Sequence, residues 1–349
     1  MISRLKMLII VNWDEQGSWP LLLGLKGVVR RIDVRGPFLT DCRWIGWVNS
    51  ASVYLAEFYG PLITLFRRAR YDVVISWQMR IGICYGLLKR LFHYKRRPIH
   101  IIQDFHIDLS HTGCFYRIKV GLLKLAVPGI DYFFCTSSEE EEIYSRMFGI
   151  PRERIVFLPL VEAPQTFAEP LHPREDYVFA FGLSDRDYDT LVRAVASLPF
   201  HTCILSSKYR PAEALPENVQ WIRHRVSRSE MIRLIASSRI VVLPLKDYRV
   251  SAGQISMLEV MALARPLIVT ENMATKEYAL HKQTVLFFQA GKDRELAGHI
   301  RYLWEHPEEA EGMGKRAKQA AAGLVDRRFG VLRAVLDRCA VDVQKGVAS

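Results

Sequence analysis

Residues 239–270, RIVVLPLKDYRVSAGQISMLEVMALARPLIVT, constrain the fold of this 349-residue chain more than any other stretch. Residues 240–243 are a short apolar run stopped by Pro244, the pattern of a buried strand. Residues 246–250 are charged and suit a loop. Ser251, with Gln254 three residues on, has the spacing of a capping box and predicts a helix start. Ile255, Leu258 and Ala262 fall at i, i+3 and i+7, which predicts one buried face. Pro266 closes the helix, and residues 267–269 form the next strand.

A helix that opens just after a strand presents unpaired N–H groups and a positive dipole end to an anion. Gly253 removes a side chain that would hold a phosphate away. Glu259, two turns on, is placed to accept hydrogen bonds from vicinal hydroxyls such as those of a ribose. The same residues also fit a capped core helix with a solvated Glu259, since one glycine between strand and helix is weak evidence for a ligand.

The rest of the chain repeats the alternation. Strands are predicted at 7–11, 32–34, 73–76, 99–102, 132–135 and 155–158, with helices at 21–29, 50–70 (broken or kinked at Gly60-Pro61), 81–92 and from Ser138, where Glu141 completes another capping box. Residues 159–173 hold four prolines and little periodicity, which marks a linker. Strands at 177–181 and 202–205, a helix reaching Ser197, a helix capped by Ser227 and Glu230, a strand at 285–288 and helices at 293–304, 307–323 and 329–341 follow. Short apolar strands alternating with helices require parallel, doubly wound sheets. With 50% hydrophobic residues the chain has ample core for two α/β domains.

The formal charge of +11 is unevenly placed. Residues 26–97 carry fourteen Lys/Arg against four Asp/Glu, nearly the whole excess. Trp44, Trp47, Tyr54, Phe58, Tyr59 and Phe66 interleave with Arg67, Arg68 and Arg70, and KRLFHYKRR follows at 89–97. Basic and aromatic residues together suit an anionic membrane surface, and also a core with a solvated basic face. No nucleic-acid-binding motif stands out, so no nucleic-acid partner is expected. Six cysteines without a CxxC pair or a His partner at metal spacing read as free thiols in a reducing cytoplasm. The start, MISRLKMLIIVNW, reads as a first strand rather than a leader, and no apolar run reaches the roughly 20 residues needed to span a bilayer.

Residues 253–266 resemble the nucleotide-sugar-binding segment of glycosyltransferase family 4, whose members have the GT-B architecture. Gly253, Glu259, Met261, Ala262 and Pro266 match that pattern. The resemblance implies that Glu259 holds the donor ribose and that Gly253, Gln254, Ile255 and Ser256 receive its diphosphate. The family's first glutamate, which contacts the donor sugar, is replaced by Ser251. The resemblance also places a basic pair after the strand at 177–181. Leu183 stands where the arginine would be, and Arg186, read in the first turn of the following helix, is the remaining catalytic candidate for neutralising the leaving diphosphate. The loop at 223–230 corresponds to the nucleotide-base region, which nominates Arg223, His224 or Val226. Gly17 in the loop after the first strand is a weaker match to the family's glycines.

Two constellations are read from the residues themselves. Asp185-Arg186-Asp187 is a D-x-D string of the kind that binds metal in the GT-A architecture, but such tripeptides are common and helix N-termini favour acids. QDFHIDLSH at 103–111 offers Asp104, His106, Asp108 and His111. His106, then Asp104, are candidate bases for an acceptor hydroxyl, against a plain polar loop.

The expectation is therefore an α/β chain of two Rossmann-like, doubly wound domains facing a cleft: an acceptor domain at 1–165, a nucleotide-sugar domain at 166–325, and a C-terminal helix at 326–349 returning to the first. It transfers a sugar from a nucleotide-diphosphate donor, as substrate rather than cofactor and without a metal. The acceptor is a membrane-associated or lipid-linked glycan of bacterial surface-polysaccharide assembly, met at the inner face of the plasma membrane. Alternatives are an inverting enzyme with Asp104 or His106 as base, and a non-catalytic subunit of a membrane assembly complex, motivated by Leu183 and Ser251.

Overall fold

A computed structural model describes residues 2–11, 25, 27–35, 46–92, 97–107, 113–170, 172–246, 249 and 251–345, with backbone only at 35, 46–56 and 115. Gly17, Trp44, Asp108, His111 and most of the helix expected at 21–29 lie outside the described residues. The chain divides into two compact units, Met1–Pro159 with Arg328–Ser349, and Leu160–Arg327. The division falls at the start of the proline-rich stretch, not at 165, because residues of that stretch are held by the second unit. The Tyr278 hydroxyl accepts from the Leu160 N–H at 3.1 Å, and Lys318 donates to the Phe167 carbonyl at 2.8 Å.

The first unit is a six-stranded parallel sheet in the order β2-β1-β3-β4-β5-β6. Its strands are β1 (Lys6–Ile10), β2 (Arg31–Arg35), β3 (Val73–Gln78), β4 (Ile99–Asp104), β5 (Tyr132–Cys135) and β6 (Ile155–Phe157). Alternation sorts the core. Met7, Ile9, Val73, Ile75 and Ile101 face Leu332, Val335 and Leu336, while Leu8, Ile10 and Val74 face Ile81 and Tyr85. The helices are α1 (Gly46–Arg67), α2 (Met79–Leu91), α3 (Cys114–Ala126) and α4 (Ser138–Phe148). Helix α1 continues through Pro61 instead of breaking there. Helix α3 was not expected, because its sequence, CFYRIKVGLLKLA, has no capping side chain at Gly113 and mixes apolar and basic residues around the helix. Helix α4 is capped one residue earlier than expected: the Ser137 hydroxyl accepts from the Glu139 N–H at 3.3 Å.

The second unit is another six-stranded parallel sheet, ordered β12-β11-β10-β7-β8-β9. The strands are β7 (Tyr177–Phe181), β8 (His201–Leu205), β9 (Val219–Ile222), β10 (Ile240–Leu243), β11 (Leu267–Thr270) and β12 (Leu286–Phe288). Its helices are α5 (Pro164–Phe167), α6 (Tyr188–Val195), α7 (Arg228–Ser237), α8 (Gln254–Ala262) and α9 (Asp293–Glu305), followed by α10 (Pro307–Lys345), which is one helix where two were expected. Val178, Ala180, Ile240, Val242 and Ile268 pack against Leu191, Leu296, Ile300 and Met313. Helix α8 covers β10 and β11. No helix among the described residues is long and apolar enough to cross a membrane.

Candidate functional site

Strand order reverses in the second sheet between β7 and β10, which pair Val178 with Ile240 and Phe179 with Val241. Chains leaving two such strands diverge and open a crevice at their carboxyl ends, where open α/β sheets bind ligands. The loops after these strands are laced together. The Asp187 N–H donates to the Pro244 carbonyl at 2.9 Å, the Lys246 N–H donates to the Asp185 carbonyl at 3.3 Å, and Arg186 bridges Leu245.

Arg186 lies at this reversal. Its guanidinium donates to the Phe181 carbonyl at 3.0 Å, the Ser184 carbonyl at 2.8 Å and the Ser256 hydroxyl at 2.9 Å. It precedes helix α6 rather than sitting in its first turn. Asp187 is the N-cap, accepting from the Thr190 N–H at 3.1 Å and the Thr190 hydroxyl at 2.6 Å, so the second acid of the D-x-D string is engaged in capping. Burial lowers the Arg186 pKa. Among the described residues no three His, Cys, Asp or Glu side chains gather as a metal-holding group.

Ser256 brings Arg186 to the first turn of α8. The N-cap of this helix is Gly253, with φ +91° and no capping side chain, so the expected capping box does not form. Gln254 Nε2 instead donates to the Ser251 hydroxyl at 2.7 Å. The first backbone bond of the helix runs from the Met257 N–H to the Gly253 carbonyl at 2.9 Å, so the N–H groups of Gln254, Ile255 and Ser256 precede it. Gly253 is demanded by the loop itself: beyond its positive φ, a Cβ there would come within 2.8 Å of Leu245 Cδ1. Leu258 and Ala262 are buried as expected, but Ile255, in the first turn, is 69% exposed.

Two buried polar side chains that the sequence alone does not single out, Thr270 and Asn272, hold this turn in place. The Thr270 hydroxyl accepts from the Leu245 N–H at 2.7 Å, and Asn272 Nδ2 donates to the Ala252 carbonyl at 3.0 Å. Asn272 Oδ1 in turn accepts from the N–H groups of Ala274 and Thr275 at 2.9 and 2.7 Å. An Asn directly after a strand is the available signal, since its side chain forms such turns.

Glu259, one turn beyond Ser256, is 3% exposed. Its Oε1 lies 3.1 Å from Arg228 Nη1, an ion-pair separation, yet that oxygen makes no hydrogen bond to the described residues. The same guanidinium reaches Glu162 Oε1 at 3.4 Å, which also accepts from the Thr166 hydroxyl at 2.9 Å. Burial pushes the Glu259 carboxyl up to about 7, with Arg228 opposing the rise and Glu162 adding to it. Arg228 opens α7, behind the loop that carries Arg223, His224 and Val226. Arg223 is exposed and stacks its guanidinium 4.3 Å from the centroid of Trp221.

Asp104 and His106 belong to the first unit, at the end of β4 and just beyond it. His106 Nδ1 lies 3.3 Å from Glu140 Oε1. Glu140 is buried and also accepts from the Tyr144 hydroxyl at 2.7 Å and from Thr136 N–H and Oγ1 at 2.9 and 3.1 Å. A histidine held at Nδ1 by a carboxylate keeps Nε2 for a proton. Burial raises the Asp104 pKa, against the pull of His106. Neither Glu140 nor Arg228 stands out in the sequence, because each lies in a charged run that reads as solvated.

Residues 185–306 match the family described as Glycosyl transferases group 1. A 112-residue stretch is 32% identical to the D-rhamnosyltransferase WbpZ of Pseudomonas aeruginosa, covering 32% of this chain and 29% of that relative's length. The fold is similar to a glycosyltransferase from Rickettsia africae, with TM-score 0.68 and 12% identity over 97% of this chain and 99% of the other. It is also similar to Anabaena HepE in complex with UDP, with TM-score 0.65 and 13% identity over 96% and 100% of the two chains. The stretch that matches the group 1 glycosyl transferase family holds Arg186, Arg228, the first turn of α8 and Glu259, on a chain whose fold is that of the GT-B architecture.

Proposed function

We propose that the chain moves a sugar from a nucleoside-diphosphate donor to a hydroxyl of a membrane-associated or lipid-linked glycan, in bacterial surface-polysaccharide assembly, at the cytoplasmic face of the membrane and without a metal. The observation that carries this reading is the meeting of the Arg186 guanidinium with the uncapped first turn of α8 through Ser256, at the strand-order reversal of the sheet. In the reaction the bond from the anomeric carbon to the diphosphate breaks and the acceptor oxygen takes its place. Arg186 and the N–H groups of Gln254, Ile255 and Ser256 receive the charge of the departing diphosphate. Glu259 accepts from the ribose hydroxyls, and Arg223 and Val226 border the base. The D-rhamnosyl transfer named for the Pseudomonas relative supports a sugar donor, and the UDP in the Anabaena complex supports a nucleotide.

The test is thermal unfolding with UDP, GDP, ADP, CMP and their sugar conjugates, for the wild-type chain and Glu259→Ala. A ligand at 100 times its Kd adds about 2.7 kcal/mol. One nucleotide should raise the wild-type midpoint and leave the variant unmoved. No rise with any nucleotide, with or without membranes, would overturn the transferase reading in favour of a non-catalytic subunit. The His106–Glu140 pairing favours one second reading, inversion with His106 taking the acceptor proton. Asp104 is the weaker base in that scheme, and the anomeric configuration of the product decides it.

A further inference from the structure

Helix α3 turns an unusual face outward. Ile118, Leu122 and Leu125 fall at i, i+4 and i+7, one stripe of the helix, and are 53, 43 and 50% exposed. On its described side chains only Leu123 and Ala126 are buried. Arg117, Lys119 and Lys124 flank the stripe, and residues 109–130 contain no Asp or Glu. Helices α1, α2 and α3 pack in succession, and Arg90 at the end of α2 donates to the Leu125 carbonyl at 2.7 Å. Each of the three leads into a strand of one parallel sheet, so their C-terminal ends lie at the same end of that sheet. There Phe66, Leu91 and Phe92 are exposed, Phe66 at 76%, among Arg67, Arg68 and Arg90.

We infer that helix Cys114–Ala126, with the C-terminal ends of α1 and α2, is a docking face for an anionic lipid bilayer. Apolar side chains on a helix with a basic, acid-free polar face are what an interfacial helix needs: the leucines enter the acyl boundary while Arg and Lys meet lipid phosphates. The sign of the charge selects the occupant, because the surplus of the whole chain is +11, Phe66, Leu91 and Phe92 lie within the basic stretch 26–97, and the stretch around Ile118, Leu122 and Leu125 carries Arg and Lys without any acid. A soluble protein partner is not needed to satisfy such a face, whereas leaving it in water exposes contiguous large apolar groups. The inference rests on the proposed membrane-associated acceptor for its purpose, and names the surface by which the chain reaches it. It does not depend on the donor chemistry of the second unit.

The experiment is cosedimentation of the full chain with phosphatidylcholine vesicles, with and without phosphatidylglycerol, at low and high salt. Wild type should bind the anionic vesicles, weakly or not at all the neutral ones, and less at high salt. The triple variant Ile118→Glu/Leu122→Glu/Leu125→Glu should lose at least about tenfold in affinity, since three apolar contacts are removed and charge of the wrong sign is added. Lys124→Ala with Arg117→Ala should lose binding in a salt-dependent way and serves as a milder variant. Unfolding midpoints confirm that both variants fold. Failure of wild type to bind anionic vesicles overturns the inference, as does binding equal on neutral vesicles. A wild-type dimer by light scattering that the triple variant disperses would assign the face to a second copy and overturn it too. Vesicle binding without any nucleotide response would keep this face and reject the transferase reading.

Discussion

A side chain at position 182 and the guanidinium of Arg186 cannot occupy the same place. A Cβ on Gly182 would lie 2.6 Å from Arg186 Nε and 2.7 Å from Nη2, and Gly182 has φ +123°, a conformation that L side chains rarely adopt. The Gly182 carbonyl is further pinned by the hydroxyls of Tyr188 and Ser206, both at 2.8 Å. Gly182 is therefore the floor on which the arginine lies. Gly182→Ala should cost about 1–3 kcal/mol of stability through strain and push the guanidinium off Ser256. Arg186→Ala should leave the backbone alone and lower kcat by about 10²–10³, the range for removing one charge-stabilising donor. Nucleotide titrations of both variants check this. A Gly182→Ala protein that folds and responds to nucleotide like wild type would show that the seat of Arg186 does not matter.

Glu259 gives a pH dependence with a defined sign. Its folded-state pKa of about 7 stands above the ordinary 4.5, so between those values the folded chain holds more proton than the unfolded chain. Stability from this group is present at low pH and falls as pH rises through about 7. Glu259→Gln should flatten that slope and raise the stability at pH 8 by on the order of 2 kcal/mol. The same variant should lose the nucleotide response, because an ionised carboxylate is the stronger acceptor. In wild type, nucleotide affinity should therefore rise from pH 6 to pH 8. Calorimetry at both pH values checks both signs, and an affinity that falls over this interval would rule out ribose binding by the carboxylate.

The parts of this site visible in the sequence are those with local causes. Pro244 ends a strand, Gly253 opens a helix and Glu259 keeps its spacing from that opening, all within thirty residues. The two parallel sheets followed from the alternation of short apolar runs with helical stretches, and the group 1 resemblance from the same residues. What stayed hidden depends on residues distant in sequence. Arg228 meets Glu259 and Glu162 only because α7 and the start of the second unit converge on α8. Asn272 reaches back twenty residues to Ala252, and Glu140 meets His106 across 34. Ser251 and Gln254 carry the capping pattern, yet Gly253, in a left-handed conformation, takes the cap position and leaves the two side chains bonded to each other. Helix α3 has no such local cause: no capping side chain precedes it, and its apolar residues stand on more than one side, Leu123 and Ala126 buried and Ile118, Leu122 and Leu125 exposed.

Glu140 offers a test of the second reading in the first unit. Its Oε1 faces both the Tyr144 hydroxyl and His106 Nδ1, while Oε2 takes the two donors of Thr136. An amide at this position cannot accept from all four groups. In Glu140→Gln the histidine loses the partner that fixes a proton on Nδ1 and leaves Nε2 as base. If His106 removes the acceptor proton, kcat should drop by about 10²–10⁴ in His106→Ala. Glu140→Gln should shift the pH profile of kcat, and should add little in the His106→Ala background. Full turnover in His106→Ala would leave the pair a purely structural one.

Asn272 separates the fold of the second unit from the shape of the first turn of α8, the proposed seat of the diphosphate. The side chain is fully buried, donates to the Ala252 carbonyl just ahead of α8, and accepts from the N–H groups of Ala274 and Thr275. Asn272→Ala leaves two buried N–H groups and one carbonyl without that partner, each worth about 1–3 kcal/mol, so the midpoint should fall markedly. Asn272→Asp keeps the acceptor for Ala274 and Thr275 but replaces the donor to Ala252 with a like-signed oxygen. It should cost less stability than the alanine variant, yet weaken nucleotide binding at least as much, because the chain entering the first turn of α8 is released and a negative charge is placed beside it. Chemical denaturation and nucleotide titration of the two variants give the comparison. If the aspartate variant binds nucleotide as wild type does, the Ala252 contact is a feature of the fold alone, and the first turn of α8 is held by Arg186, Ser256 and Leu245 without it.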